Sequence, residues 1–223
     1  MKMFLADLFL PNRCPFCDAF IPYDRLCCDG CFDSCAWSDE NICPVCGKSV
    51  MRECRCGKVT YDECVAAAYY TGNAKAAVIR LKFMDGVSAA AVFGRVLRDM
   101  LKVRGILDSI DAAVPVPMHR SGLSARGYNQ AELIAREIVR DTDIPLRTDL
   151  LYRDEPQTAQ HDLGLEERMA AALQYHGRDA DLGGMTVLLA DDVLTTGATF
   201  SACADILKRM GAVRVVCAAA VTA

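Results

Sequence analysis

Eleven of the thirteen cysteines in this 223-residue chain fall within the first 64 residues, and only Cys203 and Cys217 lie beyond. So uneven a distribution divides the chain into a cysteine-rich segment, 1–63, and a remainder, 64–223, with room for one α/β domain. With 52% hydrophobic and 24% charged residues, the composition is that of a folded globular protein. The net charge of −4 provides no overall positive field to recruit nucleic acid or anionic lipid. No apolar run approaches the roughly 18 residues that span a bilayer. The partly apolar opening, residues 1–12, is interrupted by Asp7 and lacks a small-residue cleavage site, so a secretory signal is not expected. The expectation is a cytoplasmic chain without membrane insertion, in which close-spaced cysteines hold metal rather than disulfides.

Four close pairs occur: Cys14/Cys17, Cys28/Cys31, Cys43/Cys46 and Cys54/Cys56. A Cys-x-x-Cys turn lets two thiolates reach one ion at about 2.3 Å, and two such turns complete a tetrahedral zinc shell. Eight ligands can hold two zincs, with sequential pairing favoured over interleaved pairing. Cys27 is an alternative to Cys28, and Cys64 to a member of the last pair, whose sulfurs are separated by one residue rather than two. The first histidine is His119, so the expected zinc is structural. Metal binding would supply folding free energy that so short a segment lacks. Metal removal is then expected to unfold the first segment and leave ligand binding in the second largely intact.

From about residue 64, apolar strands alternate with amphipathic helices, the pattern of a parallel sheet covered by helices. Strands are expected at 64–70, 111–117, 185–190 and 213–221, and helices at 74–82, 88–103, 129–140 and 200–210. The stretch 143–165 shows little periodicity and is long enough to be a functional lid.

The segment Asp191 to Thr199 carries the chemistry. Two carboxylates end a strand, and a run of hydroxyls with one glycine opens a helix. A helix N-terminus offers free N–H groups and the positive end of a dipole, and Gly197 allows an anion to approach closely. A phosphate belongs against Thr195, Thr196, Gly197, Ala198 and Thr199. Asp191 and Asp192 are suited to accept hydrogen bonds from vicinal sugar hydroxyls or to hold hydrated Mg2+. Arg120 and Arg126, after the proline-ended strand, are candidates for further phosphate contacts, with Lys82 in support.

This loop resembles the 5-phosphoribosyl pyrophosphate (PRPP) signature of type I phosphoribosyltransferases. More narrowly, the whole chain resembles the ComF family, which couples an N-terminal zinc ribbon to such a domain. The resemblance also rests on Leu81-Lys82-Phe83, Pro115-Val116-Pro117, Arg120, Arg126 to Gln130, and the series Arg153, Thr158, Gln160, Leu163, Arg168. Departures are Ala171 in place of the usual asparagine, Leu173 in place of a phenylalanine, and the shortened Cys54/Cys56 pair. The resemblance implies a type I phosphoribosyltransferase fold that binds Mg-PRPP through Asp191, Asp192, residues 195–199, Arg120 and Arg126. Asp191 and Asp192 would be its catalytic pair.

The implied reaction displaces magnesium-bound pyrophosphate from the anomeric carbon. Thr195 stands where some purine phosphoribosyltransferases carry a basic aspartate, so His119 or His161 is left to take a proton, or the acceptor is already acidic. The resemblance also implies a link to natural competence, with single-stranded DNA and a competence ATPase or helicase as partners and the PRPP site as a sensor. Phe16, Tyr23, Phe32 and Trp37 are available for base stacking, but in an acidic segment they are expected to pack around the metal.

Overall fold

The β-branched runs in the C-terminal half are too short for ordinary buried helices, and they form the central strands of one sheet. The computed structural model describes residues 12–38, 42–47, 59–83, 86–155 and 174–223. In chain order these hold α1 (Asp29–Asp33), β1 (Glu63–Tyr69), α2 (Gly72–Phe83), α3 (Val87–Val103), β2 (Ala112–Pro115), α4 (Arg120–Arg126), α5 (Gln130–Ile138), β3 (Leu151–Arg153), β4 (Tyr175–Gly177), β5 (Thr186–Leu194), α6 (Ala198–Arg209) and β6 (Arg214–Thr222).

The main sheet has the order β1-β6-β5-β2, with every pair parallel. A parallel bridge from Ala113 to Leu146 continues it beyond β2. Burial on both faces accounts for the unbroken apolar runs. Along β6, Val216, Ala218 and Ala220 join the layer built with α2, α3 and α5. The alternate residues Val215, Cys217 and Ala219 join the layer of α6, where Phe200, Cys203 and Leu207 are buried.

The cysteine-rich segment is seated on this sheet. An outer strand presents unpaired backbone groups that a protein must cover. Here Tyr69 N–H donates to Ala36 O at 2.8 Å and Ser38 N–H to Ala67 O at 2.8 Å, and Cys64 N–H donates to Pro44 O at 2.7 Å. The ribbon therefore lines the free edge of β1. Phe16 and Trp37 meet Phe93 of α3 edge-on, at centroid distances of 6.0 and 6.3 Å, and Phe32 packs on Trp37 at 4.9 Å. These aromatics anchor the segment to α3 rather than merely surrounding a metal, while Tyr23 is exposed.

The structure departs from the sequence expectations in three places. β5 runs on through Asp191 and Asp192 to Leu194, because Val193 and Leu194 pair with Val221 and Thr222; the acidic pair lies on a strand, not in a loop. The polar stretch after His119 contains α4, which buries no side chain and so leaves no apolar period to read. The non-periodic stretch contains β3, paired antiparallel with β4, each too short to show alternation. Residues 156–173 lie outside the described residues, with Thr158, Gln160, His161, Leu163, Arg168, Ala171 and Leu173 among them, as do the opening residues 1–11.

Candidate ligand site and metal centre

The first two cysteine turns converge. One ligand atom from each of Cys14, Cys17, Cys28 and Cys31 lies within 4.8 Å of all the others. A tetrahedron with Zn–S bonds of about 2.3 Å has edges of about 3.8 Å, and Cys17 Sγ to Cys28 Sγ measures 3.8 Å. The four thiols are grouped as a zinc site requires, and Cys28 rather than Cys27 belongs to the cluster. Burial alone would raise the Cys14 thiol, but backbone hydrogen bonds at Cys28, Cys17 and Phe16 outweigh it and bring the pKa to about 7. Burial pushes Cys27 and Cys35 up to about 11, which suits neutral packing thiols.

Cys43 and Cys46 form the next turn, closed by Gly47 N–H donating to Cys43 O at 2.9 Å. Their expected partners Cys54 and Cys56 lie outside the described residues. Cys64 Sγ sits 2.6 Å from where a Cβ on Gly47 would be, so the turn rests directly on β1. The same turn reaches the loop before α6. Tyr61 Oη donates to Cys46 O at 3.3 Å, and its hydroxyl lies 2.7 Å from the position of a Cβ on Gly197.

Ligands of open parallel sheets bind beyond the carboxyl ends of strands where successive connections leave in opposite directions. β2 and β5 form that point here, since α5 follows β2 on one face and α6 follows β5 on the other. A cavity of about 310 Å³ lies there, and its lining includes Asp191, Asp192, Thr199, Lys82, Arg126 and Arg153. A cleft of about 790 Å³ adjoins it, sharing Pro117, Met118, Asn129 and Arg153.

Within the cavity the two carboxylates are held differently. Lys82 Nζ lies 3.0 Å from Asp192 Oδ2. Asp191 Oδ1 accepts from Asp192 N–H at 2.8 Å. Burial, followed by the Asp192 charge, pushes the Asp191 carboxyl well above the usual carboxylate range. Of the loop residues, Thr199 lines the cavity, whereas Thr195 and Thr196 are exposed. Gly197 adopts φ +79°, a left-handed turn that admits the glycine easily, and α6 begins without a side-chain cap. Ala198 N–H donates to Thr196 Oγ1 at 3.3 Å.

The two arginines expected here separate. Arg126 lines the cavity with the aspartates, its guanidinium 5.8 Å from the centre of the Phe83 ring. Arg120 is exposed and lines the adjoining cleft instead. Arg153 borders both spaces, stacks over Tyr175 at 5.1 Å and donates to Gln174 Oε1 at 2.8 Å. Tyr175, whose hydroxyl burial pushes up to about 12, lines the cavity as well. Sequence reasoning missed Tyr175, and it noted Arg153 only as part of a family series, because β3 and β4 were not visible to it. His119 caps α4, with Nδ1 accepting from Gly122 N–H at 2.9 Å. That bond leaves the imidazole proton on Nε2 and occupies the nitrogen a base would use.

Fold and site together define a parallel α/β domain with a crevice at the carboxyl ends of β2 and β5, joined to a cysteine-rich segment that carries a four-thiol cluster. Residues 5–60 match the family model described as a double zinc ribbon domain. Competence protein F of Haemophilus influenzae is 26% identical over 159 residues, covering 68% of this chain and 69% of that protein. The DNA utilization protein YhgH of Escherichia coli K12 is 26% identical, covering 80% and 82%, and competence protein ComFC of Bacillus subtilis is 25% identical, covering 84% and 80%. The chain is similar in sequence to these three proteins over most of its length. Among solved structures, a purine phosphoribosyltransferase from Pyrococcus horikoshii overlaps 59% of this chain and 80% of its own, with 18% identity and a TM-score of 0.34. A phosphoribosylpyrophosphate synthetase from Mycobacterium smegmatis overlaps 57% and 33%, with 15% identity and a TM-score of 0.35. Among the described residues, no helix is long and apolar enough to cross a membrane.

Proposed function

We propose that the crevice between β2 and β5 binds PRPP, which enters as its magnesium complex, and that the protein is a cytoplasmic phosphoribosyltransferase serving DNA uptake in competence. The observation that carries this reading is the acidic pair in the C-terminal half of β5, set beside a helix N-terminus without a side-chain cap and sharing one cavity with Lys82, Arg126 and Arg153. The division of labour follows the sequence, with a zinc ribbon over 1–63 and the ligand-binding domain over 64–223.

In this reading the loop of Thr195, Thr196, Gly197, Ala198 and Thr199 takes the 5-phosphate on the first N–H groups of α6. Asp191 and Asp192 accept hydrogen bonds from the ribose hydroxyls. Arg126 and Arg153, with Arg120 at the rim, neutralise the pyrophosphate as its bond to the anomeric carbon breaks and the acceptor's bond forms. Lys82, 3.0 Å from Asp192 Oδ2, holds that carboxylate in place until the sugar arrives. Since His119 is committed to its cap and the threonines do not ionise near neutrality, an acceptor that arrives already deprotonated suits the site.

Calorimetric titration with magnesium and PRPP tests the reading. Wild type is expected to bind and the Asp191→Asn, Asp192→Asn double variant to lose binding; no heat from wild type would overturn it. A second reading, a PRPP-sensing competence factor that handles single-stranded DNA with a motor ATPase but does no chemistry, is favoured by the commitment of His119, among the described residues, to its helix cap. Single-strand binding that steepens at low salt, together with no pyrophosphate release across a panel of acidic acceptors, would select it.

A further inference from the structure

Among the described residues, two buried side-chain polar atoms have no hydrogen-bond partner, Gln130 Nε2 and Thr222 Oγ1. Only Gln130 lines the cavity that holds Asp191 and Asp192. The residue is 3% exposed, at the first position of α5. Its neighbour Asn129 is fully engaged, with Oδ1 accepting from Ala131 N–H at 3.1 Å and Nδ2 donating to Val116 O at 2.9 Å. Asn129 therefore fixes the start of α5 against the end of β2, while Gln130 does nothing for the backbone with its amide.

A buried amide donor without an acceptor destabilises the protein that carries it, and a methionine of similar volume would fill the place without that cost. We propose that Gln130 is a ligand-recognising residue, whose amide turns into the cavity and donates to an oxygen of the bound phosphoribosyl compound. The terminal torsion of glutamine is broad, so the turn needs no backbone movement. The donor left unpaired in the free protein then gains an acceptor only when ligand is present, which concentrates its contribution on the bound state. Being neutral, the amide leaves the charge balance among Lys82, Arg126, Arg153 and the two aspartates unaltered.

This inference rests on the reading of the crevice as a phosphoribosyl site, and the experiment separates the two. Wild type, Gln130→Met and Gln130→Glu are titrated with magnesium and PRPP, and each is melted without ligand. Gln130→Met is expected to melt no lower than wild type and to bind about 10- to 100-fold more weakly, the loss of one hydrogen bond to a charged acceptor. Gln130→Glu, which places an anion beside the ligand's anions, is expected to bind more weakly still. Wild-type affinity in a well-folded Gln130→Met variant overturns the proposal and leaves the crevice reading standing. Should Gln130→Met melt far below wild type, the comparison passes to Gln130→Glu, and an affinity there equal to wild type overturns the proposal. Wild-type protein that binds nothing overturns both.

Discussion

Asp191 illustrates how a ligand site works against the stability of its own fold. Its carboxyl titrates above the unfolded value of about 3.9, driven first by burial and then by Asp192. The folded form holds that proton to higher pH than the unfolded chain does. Stability is therefore greatest below the unfolded value, falls as pH rises toward the folded value, and stays reduced above it. Asp191→Asn is expected to melt higher than wild type near neutral pH and to converge with it in acid, while losing PRPP. A melting difference independent of pH would remove burial of the charge as its cause. The cysteines divide just as sharply. Cys14→Ser should release one equivalent of zinc and melt lower, whereas Cys27→Ser should retain full zinc by metal analysis, because its sulfur is outside the four-thiol cluster.

Between strands and helices, the informative contacts are those that periodicity does not encode. The strands β1, β2, β5 and β6 and the helices around them were legible because each buries a repeating apolar face. So was the grouping of Cys14, Cys17, Cys28 and Cys31, from their spacing. The extension of β5 past Asp191 was not, since a carboxylate pair reads as a strand end until Val193 and Leu194 are seen paired with β6. Arg153 and Tyr175 entered the site on strands of three residues each. Arg120 and Arg126 looked equivalent in sequence, but they stand at opposite ends of α4 and line different spaces. Arg126→Ala should consequently weaken PRPP binding more than Arg120→Ala does in parallel titrations. The ribbon's attachment was equally hidden, because nothing in the spacing of Phe16 and Trp37 names Phe93 as their partner. Phe93→Ala is expected to cost about 3–5 kcal/mol in denaturant melts, and to expose the ribbon to protease as well as loosening α3. Unaltered ribbon proteolysis would show that the backbone pairing along β1 is enough to hold it.

Across the whole molecule, the third cysteine turn and the loop before α6 meet at Tyr61, which touches both Cys46 and Gly197. Sequence alone favoured independence of the two segments after metal removal. The contact argues otherwise, and chelation is expected to weaken PRPP binding severalfold, with Tyr61→Ala reproducing part of the effect in zinc-loaded protein. Affinity unchanged by chelation would restore independence. The sheet order sets a further condition. Among the described residues β1, against whose edge the ribbon lies, pairs in the main sheet with β6 alone, so that Glu63 waits for Val216. On a ribosome, the cysteine turns emerge early and can take metal at once, but their seat is completed only after β6 has been synthesised and threaded between β1 and β5. Until then the nascent chain carries a metallated ribbon beside an unfilled slot, and any arrest of translation before β6 strands it there.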